Sequence, residues 1–510
     1  MPALLTSIGK LLERLILDRF TFEIFAFVDD SYITVWSTSF ARNCEGLTWV
    51  HGQLQQWADK NGHGVERRKD RPSIANLPPD EELFKHDEPF LNILGLRVDH
   101  RLSWKFHIDH VVSQVSKRMR ALKQMSGSIW GPDLQRMRTL YTSQIQSAFS
   151  YASPVWFVTG LSPRRPGTLS AKLVGVLDKL QDECLVEISG AMAGTSAEVI
   201  RKELCVPKIS TYLKMRTLSY LAKRTSHCPV YRELKAQRMA TLWYPRPWKR
   251  FEHHPLQQLQ TQADKVIKAT RKRLRSFHGR DRMEETWSKP KARHRAIDRM
   301  ATLAVHAWCR AHWDQYREGW DKRHNRPRPL ALAESWGLDS LMYYDEMCRK
   351  ECTMLLHCRT GNIGLAANLH SRALHPTESC PLCDEGRHTV EHLFVYCKGR
   401  DCYGREMAKR RAALHKSTDG VTDLHLIFAE YPEEAVRFAF KTFGIPQFTK
   451  ASWKVTEAKK RGRSEAVAPA GDAGQDAPAP KRRRYAHLVL RQADPPPAPA
   501  TAPGAAGLAT

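Results

Sequence analysis

The sequence has no apolar run of about 18 residues, the length a helix needs to cross a bilayer, so no membrane span is expected. Its first residues lack the basic stretch and the cleavage site of a secretory signal peptide. Acidic residues are also scarce: 54 Asp and Glu stand against 80 Lys and Arg, leaving a net charge of +26. This imbalance favours RNA, DNA or another polyanion as the partner, because basic side chains release counterions from phosphates.

A pattern of paired cysteines typical of a disulfide framework is lacking as well. The 12 cysteines are scattered singly except for one cluster, which indicates reduced thiols in an intracellular protein. In that cluster Cys380, Cys383, His392 and Cys397 follow the spacing Cys-x2-Cys-x8-His-x4-Cys. Ligand types and spacing predict a tetrahedral structural Zn²⁺ site, with His388 as an alternative nitrogen ligand. Free thiols that merely cluster are the other interpretation.

Two adjacent carboxylates, Asp29 and Asp30, lie between apolar runs at residues 23–26 and 31–36. Aromatic and β-branched runs around an acidic pair predict a strand, a tight turn and a second strand. At the tip of such a hairpin the pair could ligate Mg²⁺, and paired metals of this kind perform phosphoryl transfer. An ordinary turn is the alternative, because Asp-Asp is common in turns.

A second pattern follows a helix predicted near residues 43–62. Leu94-Gly95 in a strand-like run is followed by Asp99, then by Leu102-Ser103-Trp104 and by His107-Ile108 at the start of a basic helix. With the acidic hairpin, this order resembles the reverse transcriptase of non-LTR retrotransposons, and the resemblance covers nearly all of residues 1–235. It implies a polymerase palm in which Asp29 and Asp30 bind metal. We expect Trp104 and His107 to serve in core packing and helix capping.

The chain departs from that family where catalysis requires a carboxylate on a further strand. Only Glu13, Asp18 and Glu23 precede Asp29, and none lies on a convincing partner strand. Residues 6–19 form a predicted amphipathic helix that resembles an early fingers motif, and it is joined almost directly to the hairpin. We therefore expect Asp29 and Asp30 to hold Mg²⁺ only weakly unless another strand completes the metal site. Polymerisation by this chain alone is not expected.

The cysteine cluster also resembles the zinc knuckles that close the polyproteins of non-LTR elements, particularly those of filamentous fungi. There the knuckle follows a segment similar to residues 355–365. Nucleic-acid contact is expected from basic residues near the knuckle and on the basic helix, with a solvated surface role as the alternative. These candidates are Lys117, Arg118, Arg120, Arg359, Lys398 and Arg400.

The expected fold class is α+β: a truncated palm with a mostly antiparallel sheet and helices, followed by helical regions, a small zinc knuckle and a tail. The expected divisions are a fingers remnant at 1–22, a partial palm at 23–110, a helical thumb-like region at 111–235, a basic Trp-rich helical connector at 236–345, a zinc-knuckle region at 346–405, a helical segment at 406–455 and a disordered tail at 456–510. Tryptophans in the connector are predicted to be mostly core. The connector has no Asp-Gly-Ser turn, so no ribonuclease H activity is expected.

The tail is rich in Ala, Pro, Gly and charge, which disfavours an ordered core. Its basic clusters at 459–463 and 481–484 predict nuclear import, with importin as a candidate partner. The leading hypothesis is a nuclear, nucleic-acid-binding protein derived from a retrotransposon reverse transcriptase and catalytically incomplete. An active polymerase, whose missing strand comes from another chain or was lost in gene prediction, is the second. A non-catalytic zinc-knuckle interaction protein is the third.

Overall fold

The computed structural model describes residues 21–27, 30–36, 39–60, 89–99, 101–157, 169–224, 255–323, 328–445 and 447–448. This part of the chain is mostly helical, with short antiparallel strand pairs. None of its helices is long and apolar enough to cross a membrane. The chain divides into two units, Met1–Ser452 and Trp453–Thr510, and every described residue belongs to the first.

The described strands form two separate antiparallel pairs. Strands β1 (Thr21–Phe27) and β2 (Asp30–Trp36) pair along their whole length. Strands β3 (Leu91–Ile93) and β4 (Leu96–Val98) form the second hairpin. The first hairpin lies where the sequence predicted it, whereas the strand-like run predicted around Leu94-Gly95 is divided into two short strands. Each described sheet has only two strands, so of the α+β expectation the structure supports a mostly helical protein with small antiparallel elements.

Helices of the first half pack largely around one hydrophobic cluster. In chain order they are α1 (Phe40–Lys60), α2 (Lys105–Met125), α3 (Leu134–Leu140), a π-helical turn (Tyr141–Ile145), α4 (Gln146–Ser150), α5 (Ser153–Trp156), α6 (Ala171–Ser189), α7 (Ala197–Leu204) and α8 (Ile209–Arg224). Helix α2 buries Ile108, Val111, Val115 and Met119, which recur every three or four residues and face the core. This stripe packs α2 against α6.

The second half adds two long helices and the helices around the cysteine cluster. They are α9 (Pro255–Ser288), α10 (Pro290–Glu318), α11 (Trp320–Arg323), a 3₁₀ turn (Leu330–Ala333), α12 (Asp339–Met342), α13 (Arg349–Thr360), α14 (Ala366–His370), a π-helical turn (His392–Tyr396), α15 (Cys402–Ser417), α16 (Leu424–Glu430) and α17 (Pro432–Thr442). Helices α9 and α10 pack on each other and on α8. Helix α9 is interrupted at Gly279, whose φ of 76° is not helical.

The main hydrophobic cluster joins the predicted thumb-like region (111–235) to the predicted zinc-knuckle region (346–405). Leu185 and Ile200 from the first half share it with Leu355, Cys380 and Phe394 from the second half. The apolar surface of the knuckle region is therefore buried against the helices of the first half, and the two regions stabilise each other.

The β3–β4 hairpin turns at Leu94-Gly95. Their φ angles of 48° and 82° are both positive, as a two-residue type I′ turn requires, and Gly95 adopts such an angle without steric cost. The Tyr151 hydroxyl donates a hydrogen bond of 2.6 Å to the Leu94 carbonyl. The turn is thereby fastened to the segment between α4 and α5.

Asp99 organises the entry into α2. Its carboxylate accepts backbone hydrogen bonds from Ser103 at 3.2 Å and Trp104 at 3.1 Å. Burial alone would raise the pKa of Asp99, but the hydrogen bonds from Ser103 and Trp104 hold it below its usual value. Trp104 and His107 are buried, and the His107 ring lies 5.2 Å from that of Trp156. Core packing of both residues is confirmed, whereas Trp104, the N-cap residue of α2, makes no side-chain capping hydrogen bond.

Candidate metal centre

Four side chains converge on one point near the C-terminal end of the described chain. One donor atom each from Cys380, Cys383, His392 and Cys397 lies within 4.8 Å of all the others. The Sγ atoms of Cys380 and Cys397 are 3.9 Å apart, and Cys383 Sγ is 3.2 Å from His392 Nε2. A tetrahedral ion with metal–sulfur bonds of about 2.3 Å separates its sulfur ligands by about 3.8 Å. The group can therefore hold a metal ion.

The first two thiols are presented by a tight backbone knuckle. The Cys380 carbonyl accepts hydrogen bonds from the amides of Cys383 at 3.3 Å and Asp384 at 2.8 Å. The Cys380 amide in turn donates to the Gly386 carbonyl at 2.7 Å. These bonds fold the chain back on itself, so that the sulfurs of Cys380 and Cys383 point to the same centre.

The other two ligands lie at the ends of a single helical turn. The Cys397 amide donates to the His392 carbonyl at 2.7 Å across the π-helical turn. Arg411 of α15 donates from its guanidinium to the carbonyls of Val395, at 2.9 Å, and Cys397. The turn that carries His392 and Cys397 is thus held in place by a side chain from the following helix.

Gly386 makes room for the imidazole of the site. A Cβ atom at this position would lie 2.5 Å from Cε1 and 2.6 Å from Nδ1 of His392. Contacts this short cannot form, so any other residue would displace either the ring or the knuckle. This requirement could not be predicted from the sequence, because it depends on how closely two turns approach.

His388 lies outside the group of four. Its Nδ1 accepts a hydrogen bond of 3.0 Å from the backbone amide of Ala366, at the start of α14. Burial, with smaller effects from His392 and His375, lowers the pKa of His388 to about 4, which keeps the ring a neutral acceptor. Of the two nitrogen ligands left open by the sequence, the structure brings His392 into the site.

Burial also makes the thiols of the site hard to ionise. Burial, and to a smaller degree the neighbouring thiols of Cys397 and Cys383, raises the pKa of Cys380 to about 12. Burial likewise raises the pKa of Cys397. Because metal ligation requires thiolates, a cation at the centre would have to offset both the lost hydration and the repulsion between sulfurs.

The structure exposes five of the basic side chains that were expected to contact nucleic acid. They are Lys117, Arg118 and Arg120 on α2, and Lys398 and Arg400 directly after Cys397. Arg118 donates to the Gln144 carbonyl at 2.6 Å, and Arg400 forms an exposed ion pair of 2.8 Å with Asp384. Exposed pairs of this kind are weak, so these side chains remain available to phosphates.

The sixth expected contact, Arg359, is wrong. Arg359 is completely buried, with Nε 2.8 Å from Glu203 Oε2 and Nη2 2.7 Å from Glu334 Oε2. Lys202 is equally buried and pairs with both glutamates. The guanidinium therefore belongs to an internal ion cluster. Glu203 is 156 residues away in sequence, and no local pattern could have revealed it.

Of the two carboxylates predicted to bind Mg²⁺, one is among the residues that the structure describes. Asp29 lies outside the described residues, while Asp30 opens β2 and pairs with Phe27 through the backbone. The predicted fingers helix at 6–19 and the basic clusters at 459–463 and 481–484 also lie outside them. Comparisons with protein-family models, curated proteins and solved structures find no match for this chain.

Proposed function

We propose that this chain is a nucleic-acid-binding protein whose Cys380–Cys397 segment is stabilised by one structural Zn²⁺. The convergence of three thiols and one imidazole carries the proposal. Three Cys and one His form a ligand set that structural zinc sites use, and they fill all four tetrahedral positions. No position is left for a substrate or an activated water, so the metal would stabilise the fold rather than react.

Binding to RNA or DNA is supported by charge and by the surface around the proposed zinc. The net charge of +26 favours phosphate-bearing partners. Lys398 and Arg400 are exposed next to the zinc ligand Cys397, and the rings of Tyr396 and Tyr403 are exposed on either side of them. Exposed rings beside cations can stack on bases while the cations neutralise phosphates.

We further propose descent from the reverse transcriptase of a non-LTR retrotransposon, without polymerase catalysis by this chain. The motif residues Asp99, Trp104 and His107 serve the packing of α2, which is a structural use of the motif. Only nine residues separate the fingers-like segment at 6–19 from Asp29, too few for a further catalytic strand and its connections. Primer extension with Mg²⁺ should yield no product, whereas an active polymerase would extend the primer.

Salt-dependent binding is the test of the proposed function. The affinity of the full chain for a labelled single-stranded RNA, measured by fluorescence anisotropy, should fall steeply between 50 and about 200 mM salt. Joint substitution Lys398→Gln and Arg400→Gln should reduce the slope of log affinity against log salt by about 1.4, at about 0.7 per phosphate contact. The matched control removes two exposed lysines of α6, Lys172 and Lys179, and should leave the slope unchanged.

Absence of RNA and DNA binding would favour a zinc-knuckle interaction protein and contradict the proposal.

A nuclear location through the basic clusters at 459–463 and 481–484 is part of the same proposal. Neutralising both clusters in a fluorescent fusion should abolish nuclear accumulation. Unchanged accumulation would contradict import through this tail.

A further inference from the structure

The two long helices of the connector enclose a cleft distant in sequence from the metal centre. It has a volume of about 250 Å³ and is lined by Arg273, Leu274 and Phe277 of α9 and by Arg299, Met300 and Leu303 of α10, among others. We call it the Phe277 cleft. Aliphatic side chains form its wall, and an arginine from each helix borders it, so the cleft joins an apolar surface to positive charge.

Phe277 is the most unusual residue of this cleft. It is 64% exposed, although burial of a phenyl ring is favourable by about 1.5–3 kcal/mol. The guanidinium of Arg273 lies over the ring, 5.0 Å from its centroid, and α9 leaves its helical path two residues later at Gly279. The ring is therefore braced by a cation at a helix break, while most of its surface faces solvent.

The surroundings of the cleft are strongly positive. Residues 265–299 contain 13 Lys and Arg but only four Asp and Glu. Three of those acids are already paired: Glu284 with Arg271 at 2.9 Å, Glu285 with Lys289 at 2.7 Å, and Asp298 with Lys223 at 2.5 Å. In the part of the chain that the structure describes, neither Arg273 nor Arg299 has an acidic partner.

We propose that the Phe277 cleft binds an unstacked base of a single-stranded nucleic acid. The base stacks on Phe277, and Arg273 and Arg299 neutralise the adjacent phosphates, which is how single-strand binding proteins combine aromatic and cationic contacts. A second copy of this chain is a poor occupant, because its own cleft carries the same positive charge. The inference rests on the proposed function and gives it a second, zinc-independent binding surface.

The test compares variants of the full chain in binding a labelled 12-nucleotide single-stranded RNA. Phe277→Ala should weaken binding at least fivefold, within the range that loss of one stacked base produces, and leave the salt slope unchanged. Joint substitution Arg273→Gln and Arg299→Gln should instead reduce that slope by about 1.4. Phe277→Trp should retain wild-type affinity, because the larger ring also stacks.

The matched aromatic control is Trp308→Ala. Trp308 is 49% exposed on α10, but it lies nine residues from Arg299, about two and a half turns along the helix and therefore on the opposite face. Its removal should leave affinity unchanged. Thermal melting of every variant checks that the fold is intact, which is expected because both aromatic side chains are exposed.

Equal affinities of the Phe277→Ala and Trp308→Ala variants would overturn the inference while leaving the proposed function standing. Tighter binding of a blunt duplex than of its single strand would do the same, since paired bases cannot enter the cleft. If the wild-type chain binds no nucleic acid at all, both proposals fail. Sedimentation showing dimers that Phe277→Ala dissociates would assign the cleft to a second copy and also overturn the inference.

Discussion

Substitution Glu203→Gln would remove the acidic centre of the buried ion cluster that joins α7 to α13. Oε2 of Glu203 lies 2.8 Å from Nε of Arg359 and accepts a hydrogen bond of 2.6 Å from Tyr344, while Oε1 lies 3.1 Å from Nζ of Lys202. With Glu334, the two cations and two carboxylates balance. The glutamine amide has nearly the same size but carries no charge, so one buried positive charge would be left uncompensated.

The expected loss of unfolding free energy in Glu203→Gln follows from the pKa of the Glu203 carboxyl. Burial alone would raise the pKa of Glu203, but Arg359 and Lys202 outweigh it and lower the pKa from 4.5 to about 2. At about 1.4 kcal/mol per pH unit, this difference is worth about 3 kcal/mol of unfolding free energy. Loss of one partner from a buried ion pair costs a similar amount, about 3–5 kcal/mol.

The stabilisation by Glu203 decreases at low pH. The pKa of Glu203 is lower in the folded protein than in the unfolded chain, so its stabilisation is fully present above about pH 4.5. It is lost as the pH falls from there toward about 2. The stability difference between wild type and the Glu203→Gln variant should therefore shrink to less than half by about pH 3.

Urea denaturation at pH 7 and at low pH measures this effect. The control, Glu187→Gln, removes a surface pair of 2.7 Å with Lys123, whose side chains are 44% and 51% exposed. It should cost less than about 1 kcal/mol. A loss in Glu203→Gln no larger than in this control would refute the reasoning, as would a difference that does not change with pH.

Three further outcomes follow from the contacts described. Gly386→Ala should weaken zinc binding at least tenfold in competition with a chromophoric chelator, because its Cβ would overlap His392. The control Gly404→Ala should leave zinc binding unchanged, because a Cβ there makes only ordinary contacts of 3.5 Å or more. Equal zinc affinities of the two variants would contradict this role of Gly386. Asp99→Ala should lower the unfolding free energy by about 1–3 kcal/mol, because the amides of Ser103 and Trp104 before α2 lose their acceptor, and an unchanged urea midpoint would speak against it. Tyr151→Phe should cost about 1 kcal/mol, since the β3–β4 turn loses one hydrogen bond; a stability equal to wild type would exclude that role.

Patterns that depend on neighbours in sequence were predictable. The spacing of Cys380, Cys383 and Cys397 predicted the group that can hold a metal ion, because a knuckle and one helical turn are local structures. The β1–β2 hairpin was predictable for the same reason, because apolar runs flank a short acidic turn. Relationship to a retrotransposon reverse transcriptase stays a prediction, carried by the quoted motifs.

Features that depend on distant contacts were missed or left open. Arg359 was predicted to be a surface cation, because no pattern near it in sequence indicates that it pairs with Glu203 and Glu334. The choice between His388 and His392 depended on the amide of Ala366, which fastens the first imidazole to α14. A linear pattern records residue types but not which buried groups pair.

The tryptophans of the connector show both outcomes. Trp313, Trp320 and Trp336 are buried, as predicted for most tryptophans of the connector. Trp308 is exposed instead and stacks on His312, with ring centroids 5.4 Å apart. Which face of a long helix meets the core depends on how α9 and α10 pack on α8, and the sequence alone did not specify that packing.

The most direct test of the account is the zinc content of the purified full chain and of two histidine variants. Wild type and His388→Ala should each contain one zinc ion per chain, and cobalt substitution should give the visible spectrum of a tetrahedral thiolate site. His392→Ala should lose the metal. A wild-type chain without zinc, or a loss caused by His388→Ala but not by His392→Ala, would contradict the proposed metal centre.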